Sequence, residues 1–138
     1  MPMPVNLHDY EAEAALRLPR MVYDYYAGGA NDEILLRESR TAWDALRIRY
    51  RVLRDVSRRD LSVELEGHRL EWPVIVAPMA FQQMACAEGE VATARATAAA
   101  GSGMILSTLS NCTIESVRAA TTGPVSYTHL RAHETKAN

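Results

Sequence analysis

The stretch PVIVAPMA, residues 73–80, decides the fold of this chain. It is short, apolar and rich in β-branched residues, which is typical of a parallel strand that is buried on both faces. A helix pattern follows at residues 88–100 (EGEVATARATAAA) and ends at Gly101, and a second apolar strand is predicted at residues 104–107 (MILS). Residues 123–125 (GPV) approach a third strand. This alternation of strands and helices predicts a parallel α/β sheet.

The residues before this stretch predict three helices. Asn6 can cap the first helix, with Asp9 in the capping-box position, and Pro19 separates it from the second. The second helix ends at residues 28–29 (GG), where a left-handed residue is easily placed. Asn31 is expected to cap a third helix over residues 32–47, and its buried side is predicted to carry Leu36, Trp43 and Leu46.

Residues 48–72 change to a period of two. In residues 48–52, Ile, Tyr and Val alternate with arginines, which predicts a strand with one solvent-exposed face. Further on, Val63 and Leu65 alternate with glutamates, and a turn at residues 67–68 (GH) precedes Leu70. We therefore expect a β-hairpin before the parallel sheet. A further helix is expected after Thr113, which can cap it, and this helix extends to about residue 120.

Composition and charge exclude several classes of protein. The net charge of −2 over 138 residues gives no global field that would attract nucleic acid. Cys86 and Cys112 form no disulfide framework and match no zinc spacing, and the N-terminus lacks the pattern of a signal peptide. These features favour a cytoplasmic protein, and peripheral membrane association stays open.

Two further clusters carry alternative interpretations. His129 and His133 are four residues apart next to Glu134, so on a helix both imidazoles would share a face that can bind a metal. No third ligand follows a supporting pattern, and we predict no metal site. A second cluster is basic and consists of Arg47, Arg49, Arg51, Arg54, Arg58 and Arg59. Asp55 and Asp60 interrupt it, which favours a solvated strand face over nucleic-acid binding.

Candidate site residues follow the first two predicted parallel strands. Ligands of parallel α/β proteins bind at the carboxyl ends of the strands. The first end is residues 78–80 (PMA), and the second is Ser107-Thr108. From spacing alone, turn chemistry explains these residue types as well as a binding site does. The tyrosines on the second helix are likewise explained by amphipathic packing or by a hydroxyl aimed into a site.

Taken together, the separated motifs resemble the FMN-dependent α-hydroxy acid oxidase and dehydrogenase family. The motifs are YDYYAGGA at residues 23–30, PVIVAPMA at 73–80, EGE at 88–90 with ARA at 94–96, and LST at 106–108. The resemblance implies the N-terminal part of a (β/α)₈ TIM barrel with a helical preface. It also implies FMN as cofactor and oxidation of a 2-hydroxy acid to a 2-oxo acid, with oxygen or an electron carrier as acceptor.

The resemblance also assigns roles to residues. It implies that Tyr25 contacts the substrate carboxylate, that Pro78, Met79 and Ala80 lie against the flavin ring, and that the hydroxyl of Ser107 contacts the flavin. Leu109 stands where glycolate oxidases often have a tryptophan, which suggests a roomier pocket for an aryl substrate. The family's histidine base, carboxylate-binding arginines and flavin lysine match no residue of this chain, and they come from later strands.

The resemblance covers residues 5–125. We expect residues 1–125 to divide into a helical preface (1–47), a hairpin region (48–72) and the first βα units (73–125). Residues 126–138 match nothing in the family, and we expect them to be a non-native read-through tail. A complete barrel takes about 250 residues. We therefore expect a truncated barrel that is inactive alone, with no catalytic residue of its own.

Three hypotheses remain open at this point. The first is part of an FMN-dependent oxidoreductase that binds a small 2-hydroxy acid, binds no nucleic acid and forms a homo-oligomer when intact. The second is a short non-enzymatic α/β module for binding or assembly. It conflicts with the unpaired strand edges that two open βα units would leave. The third is another flavin-binding barrel, which the tyrosine motif at residues 23–26 disfavours.

Overall fold

A computed structural model describes residues 3–128 of the chain. The chain divides into two compact units, Met1–Asp55 and Val56–Asn138. The first unit contains three α-helices: α1 (Leu7–Arg17), α2 (Arg20–Ala27) and α3 (Ile34–Asp44). The longest helices have 11 residues, and within residues 3–128 none is long and apolar enough to cross a bilayer.

Asn6 caps α1 as the sequence predicts. Its side-chain oxygen accepts a hydrogen bond from the backbone N–H of Asp9 at 3.0 Å. The carboxylate of Asp9 in turn accepts from the backbone N–H of Val5 at 2.9 Å, one residue before the expected partner of a capping box. Pro19 lies at the N-cap of α2, where its missing N–H costs no helical hydrogen bond.

The predicted start of α3 is wrong. Glu33, not Asn31, is the N-cap, and both residues have left-handed backbone, with φ of 56° and 48°. The carboxylate of Glu33 accepts from the backbone N–H of Gly29 at 3.1 Å, which holds the α2–α3 connection in a tight turn and delays the helix. Gly28 has φ of −75°, so it is not a left-handed stop. It is needed for space, because a Cβ there would lie 2.9 Å from the carbonyl oxygen of Asp24.

Two further predictions for the first unit are wrong. The expected buried side of α3 is exposed, with Trp43 at 76% and Leu36 at 44% of full exposure, and Val22 is the buried residue of the three helices. Residues 48–52 form no strand, and Ile48 and Tyr50 are more than 80% exposed. Alternation alone cannot produce a strand, because a strand needs a ladder partner, and none is present for these residues in the described part of the chain.

The second unit begins with the predicted hairpin, which consists of β1 (Val63–Leu65) and β2 (His68–Leu70). Its turn is shifted by one residue from the expectation. Glu66 and Gly67 occupy the two central positions, with φ of 50° and 75°, as a type I′ turn requires. Two hydrogen bonds join the segment after the hairpin to residues 100 and 101: the backbone N–H of Glu71 donates to the carbonyl of Gly101 at 2.8 Å, and the indole N–H of Trp72 donates to the carbonyl of Ala100 at 2.7 Å.

The predicted parallel α/β sheet is confirmed. It contains β3 (Ile75–Val76), β4 (Gly103–Leu106) and β5 (Val125–Tyr127) in that spatial order, with parallel pairing throughout. Helix α4 (Gly89–Ala99) connects the first pair of strands, and α5 (Ile114–Ala120) connects the second pair. Gly101 ends α4 with φ of 67°, and Thr113 caps α5 by accepting from the N–H of Ser116 at 3.2 Å, both as predicted.

The core lies between β4 and its two helices. Its fully buried members are Ala94, Met104, Leu106 and Val117. Burial of a large apolar side chain stabilises a fold by roughly 1.5–3 kcal/mol, so this small cluster fixes β4 against α4 and α5. Strand β3 is only half-buried, contrary to the expectation of two covered faces, because it lies at the edge of the described sheet.

Candidate functional site

The loops at the carboxyl ends of β3 and β4 are joined by a backbone hydrogen bond. The loop after β3 contains Pro78-Met79-Ala80, and the loop after β4 begins with Ser107. The backbone N–H of Phe81 donates to the carbonyl of Leu109 at 3.0 Å, so the two loops are bonded directly. The structure therefore brings together the two segments that the sequence identifies as candidate sites.

These two segments differ in exposure. Pro78 is exposed and Met79 is 43% exposed, whereas Ser107 is 3% exposed. The hydroxyl oxygen of Ser107 accepts from the backbone N–H of Leu109 at 3.1 Å, and its carbonyl accepts from Ser110 at 3.1 Å. Ser107 thus shapes the turn after β4, which is the turn chemistry that its position at the end of a strand also allowed. A hydroxyl that accepts one bond still carries a donor for a ligand.

One buried carboxylate joins the two loops. Glu90, in the first turn of α4, is 0% exposed, and its Oε1 accepts from the backbone N–H of Gln82 at 3.2 Å and of Asn111 at 3.1 Å. The first donor follows β3 and the second follows β4. The side-chain oxygen of Asn111 also accepts from the N–H of Gln83 at 3.2 Å, which adds a second bond between the same loops.

Gln82 extends this network to the predicted flavin-contacting segment. Its side-chain carbonyl accepts from the hydroxyl of Thr93 on α4 at 2.6 Å, and its side-chain amide donates to the carbonyl of Met79 at 3.5 Å. Gln82 is 5% exposed, so these bonds lie away from solvent. The Met79 carbonyl is therefore oriented by a chain of contacts that begins on α4.

Electrostatics distinguish Glu90 from its neighbour Cys112. Burial, the largest single influence, raises the pKa of Glu90, but hydrogen bonds from backbone N–H groups and the Cys112 thiol together outweigh it, so this pKa lies below its ordinary value. Burial raises the pKa of the Cys112 thiol, and the hydrogen bond and charge of Glu90 raise it further. Glu90 is therefore a carboxylate and Cys112 a thiol at neutral pH.

Left-handed backbone lets α4 begin against the loop after β3. Phe81 has φ of 54° directly before the 3₁₀ turn Gln82–Met84, and Gly89 has φ of 48° at the first position of α4. A non-glycine residue in this region costs about 1–2 kcal/mol, and such residues often lie at ligand sites. The glycine of the sequence motif EGE is the signal for this arrangement, although the sequence predicts no role for Glu90, Gln82 or Asn111.

The remaining predicted residues lie elsewhere. Tyr25 is on α2 in the first unit, 49% exposed, with its ring centroid 5.3 Å from that of Tyr26 in an edge-on arrangement. His129, His133 and Glu134 lie outside the described residues. Of the residues expected in a non-native tail, Ser126 and Tyr127 pair with β4 as part of β5.

Comparison with known proteins gives consistent matches. The sequence model of the FMN-dependent dehydrogenase family matches residues 14–137. L-lactate oxidase from Nostoc sp. is 48% identical over 114 residues, covering 83% of this chain and 31% of the relative. Glycolate oxidase 3 from Arabidopsis thaliana is 48% identical over 119 residues, covering 86% and 32%. The chain thus spans about a third of the length of the curated relatives it matches.

Solved structures agree with the sequence comparisons. A soluble mutant of the membrane-associated (S)-mandelate dehydrogenase from Pseudomonas putida superposes with a TM-score of 0.83 at 38% identity, covering 88% of this chain and 35% of that one. A mandelate oxidase superposes with a TM-score of 0.85 at 35% identity, covering 90% and 37%. The predicted fold class, the first part of a (β/α)₈ barrel, is confirmed, and the described strands form no closed barrel.

Proposed function

Because this chain belongs to the FMN-dependent dehydrogenase family, we propose that it forms part of an FMN-dependent oxidoreductase that converts a 2-hydroxy acid to a 2-oxo acid. This chain corresponds to about a third of the length of the oxidases that it matches. The remaining strands would supply the groups that act on the substrate. The chain alone is expected to be inactive.

The bonded pair of loops after β3 and β4 is the observation that carries this proposal. The segment Pro78-Met79-Ala80, in which Pro78 and Met79 are exposed and Ala80 is half-buried, lies beside the loop of Ser107 because Phe81 donates to Leu109. Both loops lie at the carboxyl edge of a parallel sheet, where α/β enzymes bind their ligands. This geometry gives a planar heterocycle both an apolar contact and polar partners.

The residues present fit the ring of FMN. Met79 and Ala80 offer backbone groups, and Ser107 offers a hydroxyl whose oxygen already accepts from Leu109, so its proton is available for a ring heteroatom. Bound FMN would supply the acceptor for the two electrons of the alcohol. The chain's own part is to orient the ring and to exclude water from one side of it.

Substrate binding is assigned to Tyr25, whose hydroxyl would donate to the substrate carboxylate. Such a bond to a charged group contributes about 1.5–3 kcal/mol. Leu109 has a small branched side chain beside Ser107, and we assign it to a pocket that accepts an aryl 2-hydroxy acid. We further propose a cytoplasmic homo-oligomer that uses oxygen or an electron carrier as acceptor.

A chimera tests the proposal. Residues 5–125 would replace the corresponding segment of Arabidopsis glycolate oxidase 3, and the product would be assayed with FMN and with glycolate, lactate and mandelate. We expect bound yellow flavin and turnover, with mandelate favoured relative to the parent oxidase. A folded chimera that stays colourless contradicts the proposal.

The 138-residue chain alone is the companion experiment. It should bind no stoichiometric FMN and oxidise no 2-hydroxy acid. If it instead melts cooperatively as a monomer without flavin, the alternative of a short non-enzymatic module is favoured. Stoichiometric flavin on the chain alone would contradict the assignment of the remaining site to other strands.

A further inference from the structure

We propose that Glu90 is a positioning residue, whose carboxylate sets the spacing between the Met79 backbone and the Ser107 hydroxyl and so shapes the flavin-contacting edge. The inference rests on the proposed function, since it concerns the same site. The hydrogen bonds of Glu90 go to Gln82 and Asn111, in the loops that carry the two predicted flavin segments. Glu90 acts through these loops.

The first step is geometric. A single oxygen, Oε1 of Glu90, accepts from Gln82 and from Asn111, residues that are 29 positions apart in the chain and follow different strands. A shared acceptor holds two donors at a fixed separation. Since Gln82 also donates to the carbonyl of Met79, movement of Glu90 would move one side of the site relative to the other.

The second step concerns energy. A carboxylate that is fully buried carries a large desolvation cost, and among residues 3–128 no donor meets hydrogen-bond geometry at its Oε2. An apolar residue at this position would avoid that cost. The carboxylate instead makes charge-assisted bonds to backbone N–H groups, which are about twice as strong as neutral ones and fix geometry more firmly.

The third step distinguishes Glu90 from the N-cap residue of the same helix. The N-cap of α4 is Glu88, which makes no side-chain capping bond and whose carboxylate pairs with Arg95 at 2.9 Å in solvent. Glu90 lies two residues further on and points to the loops. The two glutamates of the EGE motif therefore differ in burial and partners, and Glu88 provides a matched control.

Hydrogen exchange at single-residue resolution on the 138-residue chain is the first measurement. We expect Glu90→Ala to speed exchange of the Gln82 and Asn111 amides at least about tenfold relative to Leu106 in β4, because both lose their acceptor. Glu90→Gln keeps an acceptor oxygen but loses the charge, so exchange of both amides should lie between that of Glu90→Ala and that of the unsubstituted chain. Glu88→Gln should change neither amide. Equal exchange in Glu90→Ala and the unsubstituted chain would overturn the inference.

A pH profile of the unsubstituted chain gives the same test if Glu90→Ala does not fold. Exchange of the two amides, normalised to Leu106, should rise at acid pH as Glu90 is protonated. Cys112, the other titratable group that contacts Glu90 within the described residues, remains a neutral thiol there. A flat profile that persists well below the range in which glutamates titrate would overturn the inference.

The flavin measurement uses the chimera. Glu90→Ala should weaken FMN binding about 10–100-fold and alter the visible flavin spectrum, whereas Glu88→Gln should change neither. Unchanged FMN affinity and spectrum in a folded Glu90→Ala chimera would overturn the positioning role. If the parent chimera binds no FMN, the proposed function fails, and the exchange measurement still decides whether Glu90 holds the loops together.

Discussion

The α-carbon of Gly89 lies against Gln83 so closely that an added methyl group would come within 2.6 Å of the Gln83 Cγ and 3.2 Å of its backbone nitrogen. Gly89 also has φ of 48°. Both features allow α4 to start directly beneath the loop that follows β3. Glu90 reaches that loop because of this close approach.

Gly89→Ala should therefore be much more destabilising than Gly67→Ala. Both glycines have positive φ, but a Cβ at Gly67 meets nothing within 4 Å. We expect Gly67→Ala to cost about 1 kcal/mol from backbone strain, and Gly89→Ala to cost about 2–5 kcal/mol because overpacking is added. Urea unfolding of both variants in the chimera measures the difference. Equal midpoints would contradict this prediction, because they would show that Gln83 moves aside for the added methyl group without loss of stability.

Glu90 should make stability depend on pH. Its pKa in the folded chain lies below the ordinary 4.5, so the unfolded chain takes up this proton first as the pH falls. The stabilisation is fully present above the ordinary value and is lost as the pH falls through the lowered pKa. Glu90→Gln should flatten the profile below the ordinary pKa of a glutamate, measured by urea midpoints of the chimera. An unchanged slope in the variant would contradict the assignment.

Cys112 should react slowly with thiol reagents, and Glu90→Gln should speed its reaction. Burial and then Glu90 raise the pKa of this thiol, so removal of the charge increases the thiolate fraction at a given pH. Alkylation by iodoacetamide near pH 8, followed by mass spectrometry, gives the rate. Substitution Cys86→Ser removes the signal of the exposed cysteine, and Glu88→Gln serves as the control. A slower reaction in Glu90→Gln would contradict the expectation that Glu90 raises the pKa of the Cys112 thiol.

In the chimera, Tyr25→Phe should raise the KM for the 2-hydroxy acid about 10–100-fold, because one hydrogen bond to a carboxylate is lost. Tyr23→Phe on the same helix is the matched control and should leave KM within about twofold. Steady-state kinetics with FMN at saturation make the comparison. A normal KM in Tyr25→Phe would remove Tyr25 from the substrate site.

The second unit was largely predictable because its signals are local. The apolar stretch around Ile75 and Val76, the alanine-rich helix and its stop at Gly101 each predict one element without reference to distant residues. Thr113 was likewise predictable as a cap, since its hydroxyl needs only a partner three residues away. The candidate site follows from the general rule that ligands bind at strand ends.

The wrong strand at residues 48–52 and the missed role of Glu90 share a physical cause, which is dependence on residues distant in the sequence. The alternation around Tyr50 predicts a strand, but pairing requires a partner that local sequence does not reveal. The role of Glu90 depends on donors 8 residues before it and 21 residues after it. No helical or strand period encodes such a contact, so only the folded arrangement shows it.

The spatial order of the sheet, β3-β4-β5, is also the order of synthesis. Each strand emerging from a ribosome therefore finds its partner already made, and the sheet can grow in one direction without waiting for a distant segment. Low sequence separation between partners favours fast folding, and domains form from the N-terminus during translation. The newest strand always forms the growing edge, so at every stage the nascent sheet exposes the edge to which the next strand will add.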